Sequence, residues 1–159
     1  MPPKWEVWLL LTLLLGCGRK PPYEGRSIAE LERMLDDPNP TVQAQAAYGL
    51  SRHGSESRPA LPALTRALHS AHALVRQQAA LALGEMGADA EEAVPALIEA
   101  LRDSEWSVRR QAVIALGKIG PAAHAAEPEL VRCQHDPNSL VRKAAVQALT
   151  KVKHKPDGG

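Results

Sequence analysis

The sequence predicts an all-α fold, a right-handed α-solenoid of about four helix pairs, and three observations predict it. First, one pattern recurs every 33 residues: Val42, Val75, Val108 and Val141 hold one register, as do Ala46, Ala79, Ala112 and Ala145, and Leu50, Leu83, Leu116 and Leu149. Second, each copy carries two apolar stripes at three- and four-residue steps, the signature of amphipathic helices. Third, the apolar residues are mostly Ala and Leu, aromatics are only 3% and Phe is absent, so close helix–helix packing suits this chain better than a sheet core. One helix pair cannot bury its own apolar face; stacked copies build a continuous core.

The elements follow in order. Val7 to Leu15 reads VWLLLTLLL, apolar apart from Thr12. A helix of nine residues spans ~14 Å, against ~30 Å of bilayer hydrocarbon, so it is too short to cross a membrane and has the length of a secretory signal core. The residues after it, Leu14-Leu15-Gly16-Cys17, resemble the lipobox of bacterial lipoprotein signal peptides. That resemblance implies removal of residues 1–16, cleavage between Gly16 and Cys17, and a diacylglyceryl group on the Cys17 thiol. Two or three acyl chains anchor stably where one does not. Residues 17–26 are polar and broken by Pro21-Pro22, which reads as a tether.

Residues 27–153 form the repeat domain. Copy one opens on Ser27-Ile28-Ala29-Glu30, a capping box in which the Ser side chain and the Glu side chain each accept from the other's backbone N–H. First-helix leucines recur at 31, 64, 97 and 130. Pro62, Pro95 and Pro128 share a register near first-helix starts, where a missing N–H costs nothing. In copy three, Val94, Leu97, Ile98 and Leu101 form the first stripe, Asp103-Ser104 interrupts, and Val108, Ala112, Ala115, Leu116 and Ile119 form the second. Gly54, Gly87 and Gly120 close the first three copies as C-caps. In the columns Glu32, Thr65, Ile98, Val131 and Tyr48, Leu81, Ile114, Gln147 the polar member stands first and last respectively, which predicts polar caps at the two ends. Residues 154–159 read as a flexible tail.

The segments LRDSEWSVRRQAVIALGKIG and CQHDPNSLVRKAAVQALTKV resemble HEAT repeats, in the short form found in bilin-lyase-like proteins. The ankyrin TPLH motif and the Trp/Tyr pattern of tetratricopeptide repeats are both missing from the copies. The HEAT resemblance implies a ladder in which an Asp after the first helix and an Arg in the second bond and align the copies. Here Asp103 precedes Arg109 by six and Asp136 precedes Arg142 by six, while Asp37 faces Gln43 and Ser70 faces Arg76.

Function is less legible. His69 and His72 are three apart with no Cys or carboxylate at ligand spacing, so no metal is expected. Cys133 shares a column with Ala67 and Ala100 and reads as an inert packing thiol, with no disulfide to Cys17. No phosphate loop, nucleophile elbow or zinc motif is present, so neither an enzyme nor a cofactor is expected. Net charge is +1, yet residues 17–106 carry nine basic and thirteen acidic side chains, against nine and four in 107–159. The second helices line the concave face in HEAT proteins, and on this chain their outward columns run Ala44, Gln77, Arg110, Lys143 and Arg52, Glu85, Lys118, Lys151. Gln77, Arg110, Lys118, Lys143 and Lys151 therefore form the expected partner-binding surface, with Trp106 as a turn-borne anchor. The resulting expectation is a monomeric, lipid-anchored scaffold in a bacterial cell envelope, whose partner is an envelope protein and not nucleic acid, since no aromatics interleave with the charges. Two rivals stay open: a bilin-lyase-like enzyme or chaperone, and a structural envelope protein without a specific ligand.

Overall fold

The structure is a computed structural model that describes residues 21–153, so the expected Cys17 lipid site, the expected signal segment and residues 154–159 lie outside the described residues. Among the described residues eight α-helices make four pairs: α1 (Ile28–Met34) with α2 (Pro40–Ser51), α3 (Leu61–Ala67) with α4 (Ala73–Glu85), α5 (Val94–Ala100) with α6 (Trp106–Ile119), and α7 (Glu127–Cys133) with α8 (Ser139–Lys153). The second helices α2, α4, α6 and α8 stack on one another in a continuous row, and the first helices form an outer layer beside them. Each pair is joined to the next by a 3-10 segment: Gly54–Ala60, Gly87–Ala93 and Gly120–Ala126.

Local chemistry explains these boundaries. The box at Ser27 forms in full: Glu30 N donates to Ser27 Oγ at 3.3 Å, and Ser27 N donates to Glu30 Oε2 at 2.9 Å. The backbone N–H of Ser27 foremost, and its hydroxyl, which also donates to Glu30 Oε2 at 2.9 Å, hold the Glu30 carboxyl below its ordinary range. Second helices end where Gly54, Gly87 and Gly120 take φ of +54°, +60° and +72°, a region that costs glycine alone no Cβ clash. Pro62, Pro95 and Pro128 sit in the first turns of α3, α5 and α7, as their spacing predicts. In copy one the buried Ser57 hydroxyl donates to Leu50 O at 2.7 Å, satisfying a carbonyl at the end of α2.

The 33-residue columns are the core. Leu31, Leu64, Leu97 and Leu130 are fully buried, as are Ala46, Ala79, Ala112 and Ala145. Small residues set how closely the rows approach. A Cβ on Gly84 would stand 2.9 Å from Ala115 Cα, and one on Gly117 would stand 3.0 Å from Ala148 Cα. These contacts also fix direction: Gly84 and Gly117 face the following copy, Ala115 and Ala148 the preceding one.

A polar ladder joins the copies in a different register from the one expected. Arg76 clamps Asp103 with Nε–Oδ2 at 2.6 Å and Nη2–Oδ1 at 2.8 Å, and Arg109 clamps Asp136 at 2.7 and 3.0 Å. The residues six apart within a copy meet through backbone instead: Arg109 Nη1 donates to Asp103 O at 2.9 Å, and Arg142 Nη1 to Asp136 O at 2.8 Å. Arg76 and Arg109 thus each staple their own inter-helix turn and reach forward to the next copy's carboxylate, while Arg142 makes only the local bonds among the described residues. Arg76 takes part fully although Ser70 stands where its own copy would carry the Asp. Gln43 reproduces only the local bond, Nε2 to Asp37 O at 2.7 Å.

Two end features depart from expectation. The column Tyr48, Leu81, Ile114, Gln147 runs along the open face of the second-helix row, so its polar last member caps nothing. The column that faces the next copy is Ala47, Ala80, Val113, Val146; its first three members are fully buried and Val146 is 53% exposed. Val131 is 41% exposed as well, so the last described pair presents apolar side chains there. At the other end, residues 21–25 form a turn in which Tyr23 packs on the core beside Gly49, rather than trailing away as tether.

Candidate functional site

The packing leaves the outward stripe of each second helix open. On α6 it runs through Ser107, Arg110, Ile114 and Lys118; on α4 through Leu74, Gln77, Leu81 and Glu85. Helical spacing of three and four puts these residues in line, and the 33-residue repeat sets neighbouring helices in phase. The face therefore consists of columns crossing the four helices.

Its charge is one-sided. Arg110 on α6 and Lys143 and Lys151 on α8 are exposed and form no ion pair among the described residues. Lys118, expected to belong with them, is engaged: its Nζ lies 2.6 Å from Glu85 Oε1 on the preceding second helix. That pair neutralises the acidic member of the column and leaves four cations without an ion pair among the described residues: Arg52 after α2, and Arg110, Lys143 and Lys151 toward the last copies. Gln77 is half-buried beside them, and Trp106 is 42% exposed at the first turn of α6. The ladder residues Asp103, Arg109 and Asp136 hold copies together, and Arg142 is exposed with its fork directed at backbone carbonyls.

Toward the first copies the face carries more apolar residues. Between α2 and α4 lies a shallow pocket of about 220 Å³, walled by Tyr23, Tyr48, Ala44, Leu74 and Gln78. The two tyrosine rings meet edge to face, with centroids 5.1 Å apart and planes at 75°. Leu74 is 53% exposed at its rim, and Gln78 Oε1 is buried without a hydrogen-bond donor. Sequence reasoning missed this pocket because Tyr23 lies in the stretch read as tether. One signal was available: Leu74 is apolar in a column where copies one and three carry Thr41 and Ser107.

Other reactive groups are placed for structure. Burial first, then the nearby Asp136 and Glu129 carboxylates, pushes the Cys133 thiol up to about 11, so it stays protonated and unreactive at neutral pH. Among the described residues no group of three or more His, Cys, Asp or Glu is placed to hold a metal ion. No described helix is long and apolar enough to cross a membrane.

Comparison with known proteins agrees with this geometry. A family model described as HEAT repeats matches residues 6–84, 28–105 and 61–150. Among solved structures, a designed armadillo repeat protein in complex with the peptide (KR)4 is similar, with a TM-score of 0.70 and 24% identity over 79% of this chain and 64% of that one. A second designed armadillo repeat protein matches with a TM-score of 0.66 and 25% identity, over 79% and 64% of the two chains. An engineered protein from a structural genomics consortium matches with a TM-score of 0.66 and 23% identity, over 80% and 62%. The chain thus spans a little under two thirds of the length of each. No curated protein matches the sequence.

Proposed function

The chain belongs to the HEAT-repeat family, and from that premise we propose that it is a membrane-tethered scaffold that binds an acidic protein segment on the open face of its second helices. HEAT and armadillo-like solenoids are in general protein-interaction scaffolds, since stacking helices leaves one long face unpaired. The observation that carries the finer reading is the row of uncompensated cations, Arg110, Lys143 and Lys151, on that face. Three like charges without partners repel one another and gain most from a ligand that brings carboxylates. The similar armadillo protein holds a peptide of Lys and Arg; this face would repel such a ligand and calls for the opposite charge. Trp106 stands at the rim as a further contact.

The tether rests on Leu14-Leu15-Gly16-Cys17 alone. A diacylglyceryl group on Cys17 would hold the domain at the envelope surface and confine its search for partners to that surface. The test has two arms. Intact mass of the membrane fraction should show wild type beginning at Cys17 with added acyl mass, and Cys17→Ala without it; a wild type that keeps Met1 and no lipid sinks the tether. Independently, the triple variant Arg110→Glu, Lys143→Glu, Lys151→Glu should lose the envelope protein that wild type retains after crosslinking. Unchanged retention overturns the face.

A further inference from the structure

We propose that the Tyr23–Tyr48 pocket is an anchor site for one apolar side chain of the same acidic segment, which fixes the register in which that segment lies across the helices. This rests on the scaffold reading above and deepens it. The pocket sits on the same open face as the cations, at the other end of the row. At about 220 Å³ it is smaller than the usual site of a free small-molecule ligand and suits a single side chain. Its lining is two aromatic rings, Ala44 and a leucine with half its surface in water, with Thr41, Gln45 and Gln78 as polar members, so an apolar guest removes surface from water on both sides.

Gln78 supplies the second requirement. Its Oε1 is buried in the wall and accepts no hydrogen bond, and such an acceptor is costly until a donor arrives. An apolar side chain carried on a peptide brings a main-chain N–H with it, whereas an acyl chain brings none. A residue within a polypeptide meets both conditions, and the cations on the same face call for an acidic one.

The spacing then follows from helix packing. Neighbouring helices lie ~8–10 Å apart, so from a pocket between α2 and α4 Arg110 on α6 is ~12–15 Å away and Lys143 on α8 ~20–25 Å. An extended chain advances ~3.3 Å per residue, which places carboxylates about four and about seven residues from the anchor, on one side of it. The partner is an extended segment with one apolar residue and acidic residues at those distances.

The test is selection of random linear peptides displayed on phage against three forms of the full chain: wild type, Leu74→Asp, and Arg110→Glu with Lys143→Glu. Leu74 is exposed, so its variant should keep the wild-type circular dichroism and melting. Wild type should enrich peptides with an apolar residue about four to seven positions from Asp or Glu. Leu74→Asp should keep the acidic preference, lose the apolar one, and bind the best wild-type peptide about tenfold more weakly, the scale expected for exposing a leucine-sized side chain. The charge-reversed form should keep the apolar preference and lose the acidic one. Enrichment of acidic peptides with no apolar position overturns the anchor and leaves the scaffold reading standing. Enrichment of basic peptides, or none, overturns both.

Discussion

Each ladder arginine does two jobs with one guanidinium: Nη1 closes the turn of its own copy, while Nε and Nη2 grip the carboxylate of the next. Both carboxylates are mostly buried, and both titrate below the ordinary aspartate range. At Asp103 burial alone would push the other way, but bonds from Arg76 and from the Glu105 N–H outweigh it. At Asp136 the bond from Arg109 leads. Depressed values contribute stability that is complete above the unfolded value of about 3.9 and is lost as pH falls through the folded one. Denaturant unfolding of Asp103→Asn and Asp136→Asn should show a loss of ~1–3 kcal/mol each at pH 7, because a half-buried guanidinium loses its bidentate partner. The gap to wild type should narrow once pH falls below the unfolded value and close as it passes the lower folded one. A constant gap across that range would mean that packing, not charge, carries the effect. That the ladder runs between copies was not legible in the chain: with a period of 33, six residues forward and 27 residues back join the same two columns. Only the geometry tells them apart.

Among the elements, the row of second helices is held by size complementarity more than by propensity. Gly84 against Ala115 and Gly117 against Ala148 bring backbone to backbone, where no side chain can yield. Gly117→Val should therefore cost ~1–3 kcal/mol by overpacking, although valine is no worse a helix former than glycine. Leu97→Ala, at a fully buried position in α5, should cost ~2–5 kcal/mol. Thermal melts of both variants check these values, and a neutral Gly117→Val would show that α6 and α8 are free to separate. The helix pairs, their prolines and their closing glycines were readable because each repeats in a column. The 3-10 segments were not, since GSESRPA, GADAEEA and GPAAHAA look like loop when read one copy at a time. Tyr23 was hidden for a different reason: its neighbours Pro21, Pro22 and Gly25 signal a break, and only Gly49, small enough to admit it, marks where it docks.

At the scale of the molecule, polarity runs along the stack. The open face begins with Tyr23, Tyr48 and Leu74 beside one unpaired cation, Arg52, and ends with Arg110, Lys143 and Lys151 beside exposed Leu140, so an extended ligand would meet positive charge most densely toward the last copies. Local copies fold the chain and the differences between copies make the site, as expected where a repeat fold hosts a function it does not itself determine. The basic members were legible as columns, but the capture of Lys118 by Glu85 was not, because both lie on one column and their contact depends on how closely α4 and α6 approach. The measurement that tests the account most directly is site-specific photocrosslinking in the cells that make the protein, with the probe at Ile114 on the open face or at Glu99 on the outer layer. The account predicts a discrete crosslinked partner from Ile114, absent after charge reversal at Arg110, Lys143 and Lys151, and none from Glu99. Crosslinking from Glu99 alone, or an Ile114 adduct indifferent to charge reversal, would contradict it.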